Sequence, residues 1–280
     1  MKTSFDAPLP LPASLRLLQR IEFSHKLGLC DRWFGRHTAR AGIAWVRTAP
    51  GPVWKLDLAN QTHRWIVYGY YEGPALWRWT RRHATHLRAI VDSGANIGQT
   101  VLYFSALTPA ARILAYEPGS VARAWLTDCV EANRFSLVRI ASCGLGAATT
   151  QARLANPGAD DRHGAWNQVS ETEGEPILIA RLDDELDRHG VATLDLWKLD
   201  LEGYEAQALQ GAARALAQGR IRAVYAEIAG DNGRRTTELL ASHGYAPHRI
   251  APSGRLTPWQ HSHPYECALF LAPGAKATLG

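Results

Sequence analysis

The chain has 280 residues, 46% of them hydrophobic and 20% charged, with a formal net charge of +5. This composition excludes collagen, low-complexity disorder and a small disulfide scaffold, and the length supports one sizeable core with an accessory region. No apolar run approaches the roughly 20 residues that span a bilayer, and Met1–Pro12 lacks the apolar stretch of a signal peptide.

Charge is unevenly distributed. Residues 1–90 hold 14 Lys/Arg against 5 Asp/Glu, whereas the remainder holds 17 against 21. Six of the ten tryptophans (Trp33, Trp45, Trp54, Trp65, Trp77, Trp79) also precede residue 90. The break divides the chain into a basic, Trp-rich extension (1–86), a near-neutral body (87–273) and a short tail (274–280). Cys30, Cys129, Cys143 and Cys267 form no Cys-x-x-Cys pair. That spacing argues against zinc and against a disulfide framework, so a reducing cytoplasmic setting is expected.

In the front, residues 13–40 read as one helix, 43–47 and 53–58 as a strand pair, 64–71 as a further strand and 75–86 as a helix. From residue 88 strands and helices alternate. Strands are expected at 89–91, 113–116, 137–141, 177–180, 194–199 and 221–228. Helices are expected at 98–107, 121–133, 183–188, 202–217 and 236–243, with 149–175 a polar connection. Two closing strands, 245–250 and 267–271, have no helix between them and imply an antiparallel hairpin. The pattern predicts an α/β fold with a doubly wound, mainly parallel sheet and a terminal antiparallel hairpin.

The first strand of the body runs into Val91-Asp92-Ser93-Gly94-Ala95-Asn96-Ile97-Gly98. Glycines between a first strand and its helix let backbone approach a cofactor at the crevice beyond the strand ends. The nicotinamide fingerprint G-x-G-x-x-G is absent, which disfavours a dehydrogenase. An acid two residues before Gly94 suits an ammonium or sulfonium ligand instead. Glu117, at the end of the second strand and followed by Pro118, is placed to accept both hydroxyls of a ribose. Together these features point to S-adenosylmethionine. A plain turn, with Asp92 capping the helix, is the competing reading.

These segments resemble the FkbM-type methyltransferases. The resemblance rests on Val91–Gly98, Ala115-Tyr116-Glu117-Pro118, Arg181-Leu182-Asp183-Asp184, the Lys198-x-Asp200-x-Glu202-Gly203-x-Glu205 block, Leu209-Gln210-Gly211-Ala212 and Val224-Tyr225-Ala226-Glu227. It implies a seven-stranded class I methyltransferase (Rossmann-like) fold, S-adenosylmethionine as donor, and O-methylation of a sugar, glycan or natural-product hydroxyl. It assigns Asp92, Gly94, Ala95, Asn96, Gly98, Glu117 and Pro118 to the cofactor, and Lys198, Asp200 and Glu202 to the acceptor side. Ser93 departs from the branched apolar residue usual at its position, and Gly119 from a polar one.

By period two, Lys198, Asp200 and Glu202 project to one side at the carboxyl end of their strand. Asp200 or Glu202 is a candidate base for a hydroxyl proton, with Lys198 orienting the carboxylate. The alternative places these acids at a helix N-terminus, where the dipole favours them. Glu227 either pairs with Lys198 or joins Asp200 and Asp231 around a divalent cation; no metal is assigned. His163, His248, His261 and His263 have no spacing that singles one out.

The basic front is expected to cover the acceptor side. An RNA methyltransferase using that front, a peripheral contact with anionic lipid, and a non-catalytic binding module that keeps the fold remain as alternatives.

Overall fold

The computed structural model describes residues 7–21, 23–48, 51–69, 73–156, 167–170, 172–259 and 267–280. The front consists of helices α1 (Ala13–Leu18) and α2 (Lys26–Ala39), a hairpin of β1 (Ile43–Arg47) and β2 (Val53–Asp57), and helices α3 (Gln61–Val67) and α4 (Gly73–Arg82). Two expectations fail here. The helix over 13–40 is broken, because Gln19 turns inward and its amide donates to the Val67 carbonyl at 2.7 Å. The strand expected at 64–71 is helical through Val67. Asn60 caps that helix by accepting the Thr62 N–H at 2.9 Å, and Ile66 and Val67 are fully buried. Capping and tertiary burial override the β propensity of Trp-Ile-Val. Tyr70, Tyr71 and Glu72 lie outside the described residues.

The body follows as β3 (Ala89–Ser93), α5 (Gln99–Leu107), β4 (Arg112–Tyr116), α6 (Ser120–Ala132), β5 (Val138–Ala141), β6 (Cys143–Leu145), β7 (Thr150–Ala155), β8 (Gln168–Ser170) and β9 (Glu175–Ala180). It continues with α7 (Leu182–Arg188), β10 (Leu196–Leu199), α8 (Glu205–Gln210), α9 (Ala213–Ala217), β11 (Ala223–Glu227), α10 (Gly230–Ser242), β12 (Ala246–Ile250), β13 (Leu256–Pro258), β14 (Cys267–Leu271) and α11 (Lys276–Leu279). The main sheet has the order β13-β12-β14-β11-β10-β3-β4-β5. Neighbours from β11 to β5 run parallel, and β14 lies antiparallel between β11 and β12. This is the class I methyltransferase order, with the expected terminal antiparallel pair. Against the seven strands expected, β13 adds an eighth at the edge beside β12.

Alternation along the strands divides the core into two layers. Ile90, Ile113, Leu196, Ala223 and Leu269 face one side, and Val91, Leu114, Trp197, Val224 and Phe270 the other. The front completes the first layer: Trp54, Leu56, Ile66 and Trp79 pack in one continuous cluster with the sheet, and Trp45, Trp65 and Trp77 lie against it. The tail also returns there, since Leu279 is fully buried and its carbonyl accepts the Trp79 indole N–H at 3.2 Å.

Two further elements differ from expectation. The segment 177–180 does not enter the main sheet; β9 belongs to a separate four-stranded sheet of order β6-β9-β7-β8. Along β7 only Leu154 is buried, so that strand carries no alternating signal and reads as polar loop. The helix over 202–217 is divided into α8 and α9. The Gly211 carbonyl accepts the Asp183 N–H at 3.0 Å. The Asp183 carboxylate then accepts the N–H groups of Arg214 and Ala215 at 3.1 and 2.9 Å. The Leu182-Asp183-Asp184 segment is thus a structural clip that starts α9.

Candidate active site at the carboxyl ends of the strands

The strands β3, β4, β10 and β11 end side by side, and a cavity opens beyond them, lined by Gly94, Asn96, Glu117, Pro118, Lys198 and Asp200, with Leu201, Glu202 and Tyr204 at the acceptor side. Its remaining wall comes from the small sheet through Leu154, Val169 and Ile179, and from Asn167 just before β8. Among the described residues the front contributes nothing to this lining. The wall expected from the front is supplied by an element that reads as polar loop.

Gly94 has φ +74°, and a Cβ there would stand 2.0 Å from the Asp200 carbonyl oxygen. Only glycine lets the loop after β3 pass this close to the exit of β10. Asn96 has φ +48°, and its buried side-chain oxygen has no hydrogen-bond partner. Glu117 is buried at the end of β4. Its Oε2 accepts the Asn96 N–H at 2.7 Å and its Oε1 the Gly119 N–H at 2.8 Å. Each oxygen keeps a second acceptor site, which is what a vicinal diol needs. A Cβ at Gly119 would meet Glu117 Oε1 at 2.9 Å, so the residue that departs from the expected pattern clears room for this carboxylate. Burial pushes the Glu117 pKa up, and the two N–H donors oppose it.

Asp92, Ala95 and Gly98 stand differently from the sequence expectation, because none of them lines the cavity. Asp92 is fully buried beneath the loop and accepts the Thr100 hydroxyl on Oδ2. Its Oδ1 has no hydrogen-bond partner and lies 3.7 Å from Lys198 Nζ. Burial raises the Asp92 pKa to about 6, opposed by Lys198 and Thr100. Ala95 donates its N–H to the Tyr116 carbonyl at 3.1 Å, and Gly98 begins α5 at φ +98°. These three shape the loop from behind. Ser93, the other departure, accepts the Trp197 indole N–H at 2.7 Å inside the core.

Lys198 is buried on β10. Its ammonium donates to Asp200 Oδ2 at 2.9 Å and to the Gly94 carbonyl at 3.4 Å, tying β3 to β10. The strand ends at Leu199, so the period-two expectation stops there: Leu201 lines the cavity together with Asp200 and Glu202. Glu202 occupies a turn at φ +50°, a strained conformation for a non-glycine residue. Burial, then the charges of Asp200, Glu227 and Glu205, raise its pKa to about 7. Of these acids only Glu205 stands in the first turn of a helix, and its carboxylate holds the turn before α8, accepting the Leu201 N–H at 2.6 Å and the Gly203 N–H at 3.4 Å. Glu227 ends β11, its pKa raised by burial and by Asp200. Asp231 is turned to solvent near Arg234, and the described residues contain no group of ligands able to hold a metal. His248 lies in β12; His163, His261 and His263 are outside the described residues.

The family described as Methyltransferase FkbM domain matches residues 92–247, more than half of the chain. The chain belongs to the FkbM methyltransferase family. Among curated proteins it is similar to Methyltransferase sdnD of Sordaria araneosa, 30% identical over 159 residues that make up 44% of this chain and 59% of that protein. Solved structures similar to it include cofactor-bound Rv0187 from MTB, 11% identical with a TM-score of 0.44, covering 72% of this chain and 81% of that one. Fibrillarin of Aeropyrum pernix, with natively bound S-adenosyl-L-methionine, is 16% identical with a TM-score of 0.38, covering 66% of each chain. The FkbM match begins at Asp92 and includes every residue of the cavity lining.

Proposed function

We propose that this FkbM-family chain transfers a methyl group from S-adenosylmethionine to a neutral hydroxyl, on a sugar, glycan or natural-product acceptor. The observation that carries the reading is the charge of the cavity. Glu117, Asp200 and Glu202 line it with Lys198 as the single cation among the described residues, and Lys198 is already engaged by Asp200. Carboxylates accept hydrogen bonds from hydroxyls and repel phosphate, so a neutral polyol suits this rim better than a nucleic-acid backbone. When bound, S-adenosylmethionine supplies an electrophilic methyl on a sulfonium centre.

The residues fit that donor. Glu117 has two free acceptor positions for the ribose hydroxyls, and the buried side-chain oxygen of Asn96 in the cavity lining lacks a hydrogen-bond partner. Gly94 keeps the loop open to the ligand, and Pro118 forms the floor beside Glu117. Asp92 acts through Thr100 and Lys198 to hold the loop. On the acceptor side, Lys198 fixes one oxygen of Asp200, leaving the other to orient the hydroxyl. Glu202, whose pKa burial and the neighbouring carboxylates raise, takes the proton. A carboxylate whose pKa is raised toward neutrality is a stronger base than an ordinary one and is still deprotonated above pH 7. Residues 1–86 brace the 87–273 domain in this proposal, and 274–280 returns to the brace.

The test is incubation of the pure protein with labelled donor and fractionated polyol acceptors. Labelled product that disappears in Glu202→Gln and falls in Asp200→Asn supports the reading. Turnover retained in both variants, or label found only in nucleic acid, overturns it.

A further inference from the structure

The front leaves a surface whose composition the catalytic reading does not use. From residue 7 to 48 the sequence holds seven Lys/Arg and two acids, Glu22 and Asp31. Asp31 is turned inward, accepting from Arg64 at 2.8 Å and from the Tyr68 hydroxyl at 2.9 Å. Glu22 lies outside the described residues. Six arginines of this stretch, Arg16, Arg20, Arg32, Arg36, Arg40 and Arg47, are exposed.

Over the later turns of α2 exposed and buried residues segregate. Cys30, Gly35 and Thr38 are buried, as is Lys26 in the first turn. Arg32, Trp33, Arg36 and His37, with Arg40 just beyond, occupy an outward arc of roughly 140° at 100° per residue. Trp33 is 60% exposed there. It has company, because Leu17, Ile21 and Ile43 are 61%, 44% and 62% exposed. These four are more than half of the large hydrophobic side chains exposed among the described residues, gathered within 27 positions.

Guanidinium groups interleaved with exposed apolar side chains are the chemistry of an anionic lipid surface. Arginines approach lipid phosphates while the apolar groups enter the boundary with the acyl chains. Single-stranded RNA is the competing polyanion, but it needs aromatic platforms for its bases, and three of the four exposed apolar residues are aliphatic. We propose that the outer face of α2, with the exposed residues that precede and follow it in the chain, docks this protein onto an anionic lipid bilayer. The proposal is independent of which acceptor is methylated.

Flotation of the full chain with vesicles tests it, using phosphatidylcholine alone and phosphatidylcholine mixed with phosphatidylserine. Binding is expected only to the mixed vesicles. It should be released near 1 M salt, where the Debye length falls to about 3 Å. The triple variant Arg32→Ala, Arg36→Ala, Arg40→Ala should lower partitioning about 100-fold, given the contribution of each basic side chain near such a surface. Trp33→Phe should abolish a blue shift of tryptophan emission on binding. Cooperative melting and binding of S-adenosylhomocysteine should be unchanged in both variants, which separates loss of docking from loss of fold. Equal partitioning into neutral vesicles, or undiminished binding by the triple variant, overturns the proposal. So does capture of RNA homopolymers with no affinity for either vesicle, which would assign the face to nucleic acid.

Discussion

In the front of the molecule arginines stand in solvent while Trp54 and Trp79 are fully buried, whereas at the cavity carboxylates are partly or wholly buried and crowd one another around a single lysine. The front gains stability by burying aromatic area and places its charge where water screens it. The cavity does the reverse: Glu202, Glu205 and Glu227 all have pKa values raised first by burial. Such a site costs stability, and in the proposed reaction it supplies a base near neutrality. Stability and chemistry are therefore carried by different regions, and substitutions should separate them.

The largest effect should come from the front. Deleting residues 1–85 strips Trp54, Leu56, Ile66 and Trp79 from a core layer they share with the sheet. The remaining 86–280 segment should be insoluble or lack a cooperative melt. A soluble fragment that melts cooperatively would show the two regions to be separable after all.

At the cavity, Glu202→Gln should lower turnover by about 10²–10⁴-fold, the usual contribution of a general base. Wild-type turnover should fall as pH drops below about 7, where Glu202 takes up its proton, and that limb should vanish in the variant. The same residue gives stability an opposite dependence. Its folded pKa, about 7, exceeds the ordinary 4.5. Its contribution to stability is thus full below 4.5 and is lost as pH rises toward 7. Thermal melts of wild type and Glu202→Gln across that window should converge at low pH, with the variant the more stable at neutral pH.

Glu117→Ala should weaken S-adenosylhomocysteine binding by about 1.5–3 kcal/mol, as charge-assisted hydrogen bonds do, with little change in melting. Calorimetry showing equal affinity would remove Glu117 from the donor site. The smallest effect belongs again to the front. Asn60→Ala removes the cap of α3 and should cost about 1 kcal/mol in denaturant unfolding without altering donor binding.

Much of this architecture is legible in the chain. The repeated apolar runs punctuated by Asp92, Glu117 and Asp200 mark strand ends, and the missing helix between 250 and 267 marks the antiparallel strand. Glu117, Gly94, Asn96, Lys198, Asp200 and Glu202 do converge on the cavity. The depth of Asp92 beneath the loop is not legible, because period and spacing locate a residue along a strand without saying how far the following loop folds over it. The strand expected at 64–71 illustrates the same limit for propensity: Trp, Ile and Val form a helix once Asn60 caps it and the core receives one side.

Sequence by itself determined seven of the eight main-sheet strands, the glycine loop, the acid at the end of β4 and the block of charges after β10, since each is a local pattern of period, turn chemistry or spacing. Only the tertiary structure decided which segments form the small sheet, which acid holds the turn before α8 and which is left strained in that turn. Those outcomes depend on contacts between residues far apart in the chain, such as Gly211 with Asp183 and Lys198 with Gly94. The close approach of Gly94 to Asp200, which shapes the cavity, is a fact of packing that no local signal contains.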